Sequence, residues 1–135
     1  MVAERTEAGK TADAGYQIGV RRTVPASEER VWAVLLSPAG LRIWLGGVSK
    51  LEEGTRFSFR NGISGEIRVN RPWSHLRLTW QRPDWEAPSY LQVRVLPART
   101  GATLSFHQDH LRGPAERKEM KAHWEQVVER LSEKL

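Results

Sequence analysis

Four histidines give this sequence its widest chemical reach near neutral pH. His107 and His110 flank Gln108-Asp109, which raises the question of a metal pair. Residues three apart on a strand point to opposite faces, and no zinc spacing or further ligand follows. Strand-end histidines are usually solvated, so no metal ligand and no cofactor is assigned. His75 falls on the polar side of an alternating stretch and receives no role. His123 lies three residues after Met120 and four before Val127, at the border of an apolar helical stripe. Beside an apolar cavity, its imidazole could bond a ligand oxygen or act as a general acid or base. The competing reading is an edge histidine satisfied by its surroundings. The sequence offers it no partner for a catalytic pair, so no catalytic residue is assigned.

Other nucleophiles fare worse. Without cysteine there is no thiol nucleophile, disulfide or thiolate metal site. No G-x-S-x-G elbow is present, and Gly46-Gly47 lacks the Lys-Ser/Thr of a phosphate loop. Asp84, Glu86 and Asp109 fall in loops or at strand ends, unpaired. The six tryptophans are the anomaly in a chain this short. Each could fill core or wall a cavity for a flat, greasy ligand. Trp32 reads as core. Trp44, Trp80 and Trp124 fit either reading. Trp73 and Trp85 sit in turns, where together they would make an exposed aromatic patch for a partner.

Something must position these groups. The spacing of Met120, Trp124, Val127, Val128, Leu131 and Leu135 predicts an amphipathic helix over Gly113–Leu135, with Pro114 suited to its first turn. Upstream, Tyr16 to Val24 alternates as a half-buried strand that Pro25 ends. Ser27 reads as a helix cap, with Glu28 and Glu29 where the dipole favours anions. A short second helix follows Pro38 and breaks at Gly46-Gly47. Alternation then predicts strands around Phe57 and Phe59, then Ile63, Gly65, Ile67 and Val69 on one face. Leu76, Leu78 and Trp80 follow, then Leu91, Val93 and Val95, then Ala102, Leu104 and Phe106. Asn61-Gly62 is a hairpin signal. Strands and helices are segregated, which gives an α+β class: an antiparallel meander with a dry face, against which the last helix packs.

Composition sets the outer limits. The 135 residues suit one domain over residues 16–135, preceded by a flexible polar arm over residues 1–15. No apolar run is long enough for a membrane span and no signal-peptide core precedes the domain, so a cytoplasmic protein is expected. The net charge is +5, with eight arginines between Arg56 and Arg99. These fit the solvent face of strands, and no basic run argues for a nucleic-acid partner.

The ordered segments Val20-Arg21-Arg22-Thr23-Val24-Pro25-Ala26-Ser27, Val31-Trp32-Ala33-Val34-Leu35, Ser37-Pro38 and Leu41-Arg42-Ile43-Trp44 carry a family resemblance. Gly65-Glu66-Ile67, Arg77-Leu78-Thr79-Trp80, Gly101-Ala102-Thr103-Leu104, and Trp124 with Leu131 extend it. From Ile18 to Leu135 the chain resembles the heat-shock-protein-90 ATPase activator homologue-like family of the START-like (SRPBCC) superfamily. The resemblance implies a helix-grip fold: a curved antiparallel sheet of about six strands around a long C-terminal helix, with two short helices after the first strand. It also implies an apolar cavity between sheet and helix, and no single activity. Where the family commonly has Gly before the Trp of the last helix, this chain has His123. The expected lining is Trp44, Phe57, Phe59, Ile67, Leu78, Trp80, Phe106, His123, Trp124 and Val127. The expected function is non-catalytic binding of a small hydrophobic molecule. A protein-interaction or chaperone-ATPase-regulating module is the alternative, and an aromatase/cyclase-type enzyme follows it. A homodimer is left open.

Overall fold

The computed structural model describes residues 10–11, 15–48 and 50–135, and gathers the alternating segments into one antiparallel sheet. Its strands are β1 (Lys10–Thr11), β2 (Gly15–Val24), β3 (Arg56–Ser58), β4 (Ser64–Arg71), β5 (His75–Trp80), β6 (Ser89–Ala98) and β7 (Gly101–Leu111). They run in the order β1-β2-β7-β6-β5-β4-β3. The curved, open sheet is the one expected, with the two-residue β1 added on β2. That strand falls inside the stretch 1–15 expected to be an arm, and Gly15 opens β2; residues 1–9 and 12–14 of that stretch lie outside the described residues.

The helices are α1 (Glu28–Leu36), α2 (Pro38–Trp44) and α3 (Pro114–Ser132). Ser27 caps α1, its hydroxyl accepting from the Arg30 N–H at 3.0 Å. Ser37 joins the first two helices: its hydroxyl donates to the Val34 carbonyl at 2.7 Å and accepts from the Gly40 N–H at 3.0 Å. Gly113-Pro114 opens α3 as its sequence implies. The helix stops at Ser132, so Leu135 packs on the core from beyond its end. Met120, Trp124, Val127, Val128 and Leu131 are buried, and α3 lies against β2, β7 and α2. Each large apolar side chain so buried stabilises the fold by roughly 1.5–3 kcal/mol. This α+β arrangement, a sheet gripping its last helix, is the helix-grip fold.

Two bulges depart from simple alternation. In β4, Ile67 pairs with Leu78, but Val69 pairs with Arg77 and Asn70 with Leu76. The extra residue reverses the faces, so Val69 does not continue the dry row of Ile67. Polar bonds hold the shifted segment: the Asn70 N–H donates to Glu53 Oε2 at 3.0 Å, and its amide donates to the Leu51 carbonyl at 2.9 Å. In β7, Tyr16 pairs with Leu111 while Ile18 pairs with Gln108, which leaves one extra residue near His110 (φ 61°). His107 and His110 therefore do not face opposite ways. His107 Nε2 bonds Gln17 Oε1 at 2.8 Å, and the His110 ring meets Tyr90 at 4.9 Å, both on the outer face. Among the described residues no three His, Asp or Glu side chains cluster as metal ligands would.

The turn tryptophans part company. Trp85 is buried, its ring 5.6 Å from Trp80, because Gln81 Nε2 donates to its carbonyl at 2.7 Å and draws the loop in. Trp73 alone is exposed, at 61%. The aromatic patch expected from the pair does not form.

Candidate functional site

The space between sheet and α3 is filled by aromatic rings in contact. Phe106 on β7 stacks on Trp124 of α3 at 5.1 Å, nearly parallel. Trp44 meets the edge of Phe106 at 5.9 Å, and Trp80 meets Trp124 at 5.8 Å. Offset and edge contacts of this kind each add about 0.5–1.5 kcal/mol beyond area burial. Trp44 is fixed further by its indole N–H, which donates to the Leu35 carbonyl at 2.9 Å.

A polar relay runs beneath the rings. The Trp124 indole N–H donates to Gln108 Oε1 at 2.7 Å, Gln108 Nε2 donates to the Ser89 hydroxyl at 2.8 Å, and that hydroxyl donates to the Trp80 carbonyl. Ser89 and Gln108 are both fully buried. Sequence reasoning missed them. Carrying the β7 alternation one step past Phe106 points Gln108 inward, and carrying the β6 alternation one step before Leu91 does the same for Ser89.

Open space remains at the rim. A pocket of about 170 Å³ lies where α2 and Gly46, the β3–β4 hairpin and α3 meet. Trp44, Phe59, Ile63 and Trp80 give it apolar walls, with Asn61 and Arg42 at its edges and His123 on the α3 side. Gly46 makes the close approach feasible. Its φ is +62°, and a Cβ there would press to 2.6 Å from the Phe59 ring. Phe59 is held in turn by stacking on Phe57 at 5.3 Å.

His123 is half-buried, its ring 4.5 Å from Trp124 and 6.0 Å from Trp80. Neither ring nitrogen bonds another described residue. Burial lowers its pKa below the usual histidine value, and the Arg82 guanidinium adds to the shift, while Glu119 opposes it. Arg82 and Glu119 pair with each other at 2.6 Å. The imidazole is therefore neutral at pH 7, with one donor and one acceptor to offer.

Of the ten expected lining residues, the structure brings Trp44, Phe59, Trp80 and His123 together at this pocket. Phe57, Ile67, Leu78, Phe106, Trp124 and Val127 are buried core. Arg42, Ile43, Gly46, Asn61 and Ile63 complete the rim; only their nearness in sequence to Trp44 and Phe59 hinted at them.

A family model described as activator of Hsp90 ATPase homolog 1-like protein matches residues 25–135. The chain belongs to this family. Among solved structures, it is similar to protein MLL2253 from Mesorhizobium loti, at 24% identity and a TM-score of 0.73 over 87% of this chain and 94% of that one. DynU16, a protein of the dynemicin biosynthetic locus, matches at 23% identity and a TM-score of 0.75 over 87% of this chain. The chain spans only 46% of DynU16. The solution structure of CalU16 from Micromonospora echinospora matches at 22% identity and a TM-score of 0.75, over 96% of this chain and 71% of that one. At such identities the likeness is one of fold. No curated protein matches the chain. No helix among the described residues is long and apolar enough to cross a membrane.

Proposed function

We propose that this domain binds a small hydrophobic molecule at the rim of its helix grip and does not turn it over. One observation carries the reading: an open pocket of about 170 Å³ in which two tryptophans and a phenylalanine face a half-buried, unpaired imidazole. A dry cavity of about 150 Å³ is known to hold a benzene-sized molecule, so the pocket suits one aromatic ring or a short branched chain. The neutral His123 would bond a single oxygen of that ligand. The non-catalytic part of the reading is supported by His123 having no carboxylate bonded to its ring, since Glu119, the acid whose charge acts on it, is paired with Arg82. The test is intrinsic tryptophan fluorescence and two-dimensional NMR with small aromatic probes. Shifts confined to Trp44, Trp80 and His123, weakened in His123→Ala, are expected. Shifts elsewhere, or none with any probe, refute it. Turnover of a cyclisation substrate that is lost in His123→Ala would favour an aromatase/cyclase-type enzyme instead.

A protein-docking role is favoured by a different observation. The exposed Trp73 lines a separate open pocket of about 240 Å³ with Trp32, Val95, Glu28 and Glu29. The family description suggests an Hsp90-type ATPase as the partner to try. Stimulation of that ATPase by the domain, lost in Trp73→Ala, supports this role; an unchanged rate with the wild-type domain removes it.

A further inference from the structure

Arg42 stands at the junction of three pockets. It edges the aromatic rim pocket. It edges a second, more apolar pocket of about 360 Å³ bounded by Leu36, Leu41 and Val48, which shares Gly46 with the first. It also edges a third, polar pocket of about 380 Å³ whose charged residues are Arg42, Arg130, Lys134 and Glu133. Arg42 is the one residue common to all three. Its guanidinium has no ion pair or hydrogen bond with another described residue, and neither do the side chains of Arg130 and Lys134. Arg30 is nearby, donating to the Lys134 backbone carbonyl at 3.3 Å. The lining of this third pocket thus holds three cations against one carboxylate, with Arg30 beside it.

A cation in the last turn of α2 complements the helix dipole, which accounts for an arginine on that helix. It does not account for two apolar pockets and one basic pocket meeting at the same guanidinium. Resting on the binding reading above, we infer that the ligand is an amphipathic carboxylic acid. Its apolar body lies in the rim pocket and along Leu41 and Val48, and its carboxylate is held by Arg42, with Arg130 and Lys134 adding to the field. The guanidinium fork of the exposed Arg42 matches a carboxylate with two parallel hydrogen bonds. The neutral imidazole of His123 also lines the rim pocket and adds no charge of its own there.

The experiment compares a series of ω-phenylalkanoic acids with the matching primary amides, which have the same shape and no charge. Affinities are measured by calorimetry for the wild type, Arg42→Gln and, as a control on the outer sheet face, Arg94→Gln. The acids are expected to bind the wild type about two- to fivefold more tightly than their amides, as an exposed ion pair allows, with the difference shrinking as salt rises. Arg42→Gln should abolish that preference while leaving amide binding in place, and Arg94→Gln should change neither. Circular dichroism shows whether the variants are folded. Equal binding of acids and amides, or an acid preference that survives in Arg42→Gln, overturns the inference and leaves the binding reading standing. If neither series binds the wild type, both fall.

Discussion

Replacing Gln108 by Met tests whether the buried relay, and not apolar packing alone, fixes α3 on the sheet. Methionine keeps the length and approximate volume of the side chain and removes both polar ends. The Trp124 indole N–H then loses its 2.7 Å acceptor, and the Ser89 hydroxyl loses a donor while keeping its bond to the Trp80 carbonyl. A buried donor left unpaired costs about 1–3 kcal/mol, and the lost bond to Ser89 adds about 1 kcal/mol. The expected loss is therefore about 2–4 kcal/mol, a large share of the 5–15 kcal/mol typical of a whole domain. Trp124→Phe should also be costly, through lost packing and through the orphaned Gln108 carbonyl. The double variant should be about 1–2 kcal/mol more stable than the sum of the two losses, because neither partner is then stranded. Urea unfolding followed by far-UV circular dichroism measures all four proteins without relying on the removed indole. A Gln108→Met loss below about 0.5 kcal/mol, or strict additivity in the cycle, would refute the reasoning.

Three further outcomes follow from the same geometry. Because burial lowers the His123 pKa, the unfolded chain takes up the proton more readily; stability should fall as pH drops through the unfolded value of about 6.5, and less steeply in His123→Gln. His75, whose pKa is also lowered by burial and then by Arg94, Arg71 and Arg77, keeps its own share of the slope in that variant. Urea midpoints at pH 5.5 and 7.5 for the two proteins check this. Gly46→Ala should lose about 1–3 kcal/mol and reshape the rim, since its φ of +62° and the Phe59 ring both oppose a Cβ; thermal unfolding with calorimetry reads the loss. Ser37→Ala should cost about 1 kcal/mol as a lost cap and weaken ligand binding through α2, which carries Trp44 and Arg42; chemical denaturation together with probe titration measures both effects.

The parts legible in the sequence are those ruled by periodicity. Met120 to Leu131 repeat at helical spacing because one stripe faces the sheet, and Leu76-Leu78-Trp80 alternate because one sheet face is dry. Where a polar side chain repays a local break in the period, pattern reading fails. Asn70 and Glu53 stabilise a bulge that reverses the faces of β4, and no apolar spacing encodes that. The β7 bulge likewise breaks the period and brings His107 and His110 to the same side. Gln108 is a polar residue whose inward position depends on finding Trp124 and Ser89, both remote in sequence. The candidate site was half legible: Trp44, Phe59, Trp80 and His123 converge, but volume cannot be read from residue types. Whether facing aromatics enclose space or fill it depends on their packing angles.

Those angles decide where a ligand can go. Phe106 and Trp124 lie within 16° of parallel, and Trp44 and Trp80 close on them edge-first, so the rings use the room that the resemblance assigned to a cavity. Opening that room would require moving Trp44, which breaks its indole bond to the Leu35 carbonyl and its ring contact with Phe106. Such a displacement costs several kcal/mol before any ligand contact is made, on the order of 1 kcal/mol for the hydrogen bond and 2–5 kcal/mol for the vacated packing. Rim binding carries no such cost. A ligand that fits the rim should therefore leave amide hydrogen exchange of α2 and β7 unchanged or slower. A ligand that enters the core should accelerate exchange in α2, because Trp44 would have to leave Phe106 and give up its bond to the Leu35 carbonyl. Faster exchange in Pro38–Trp44 on binding would show that the filled interior opens and that the rim pocket is only its entrance.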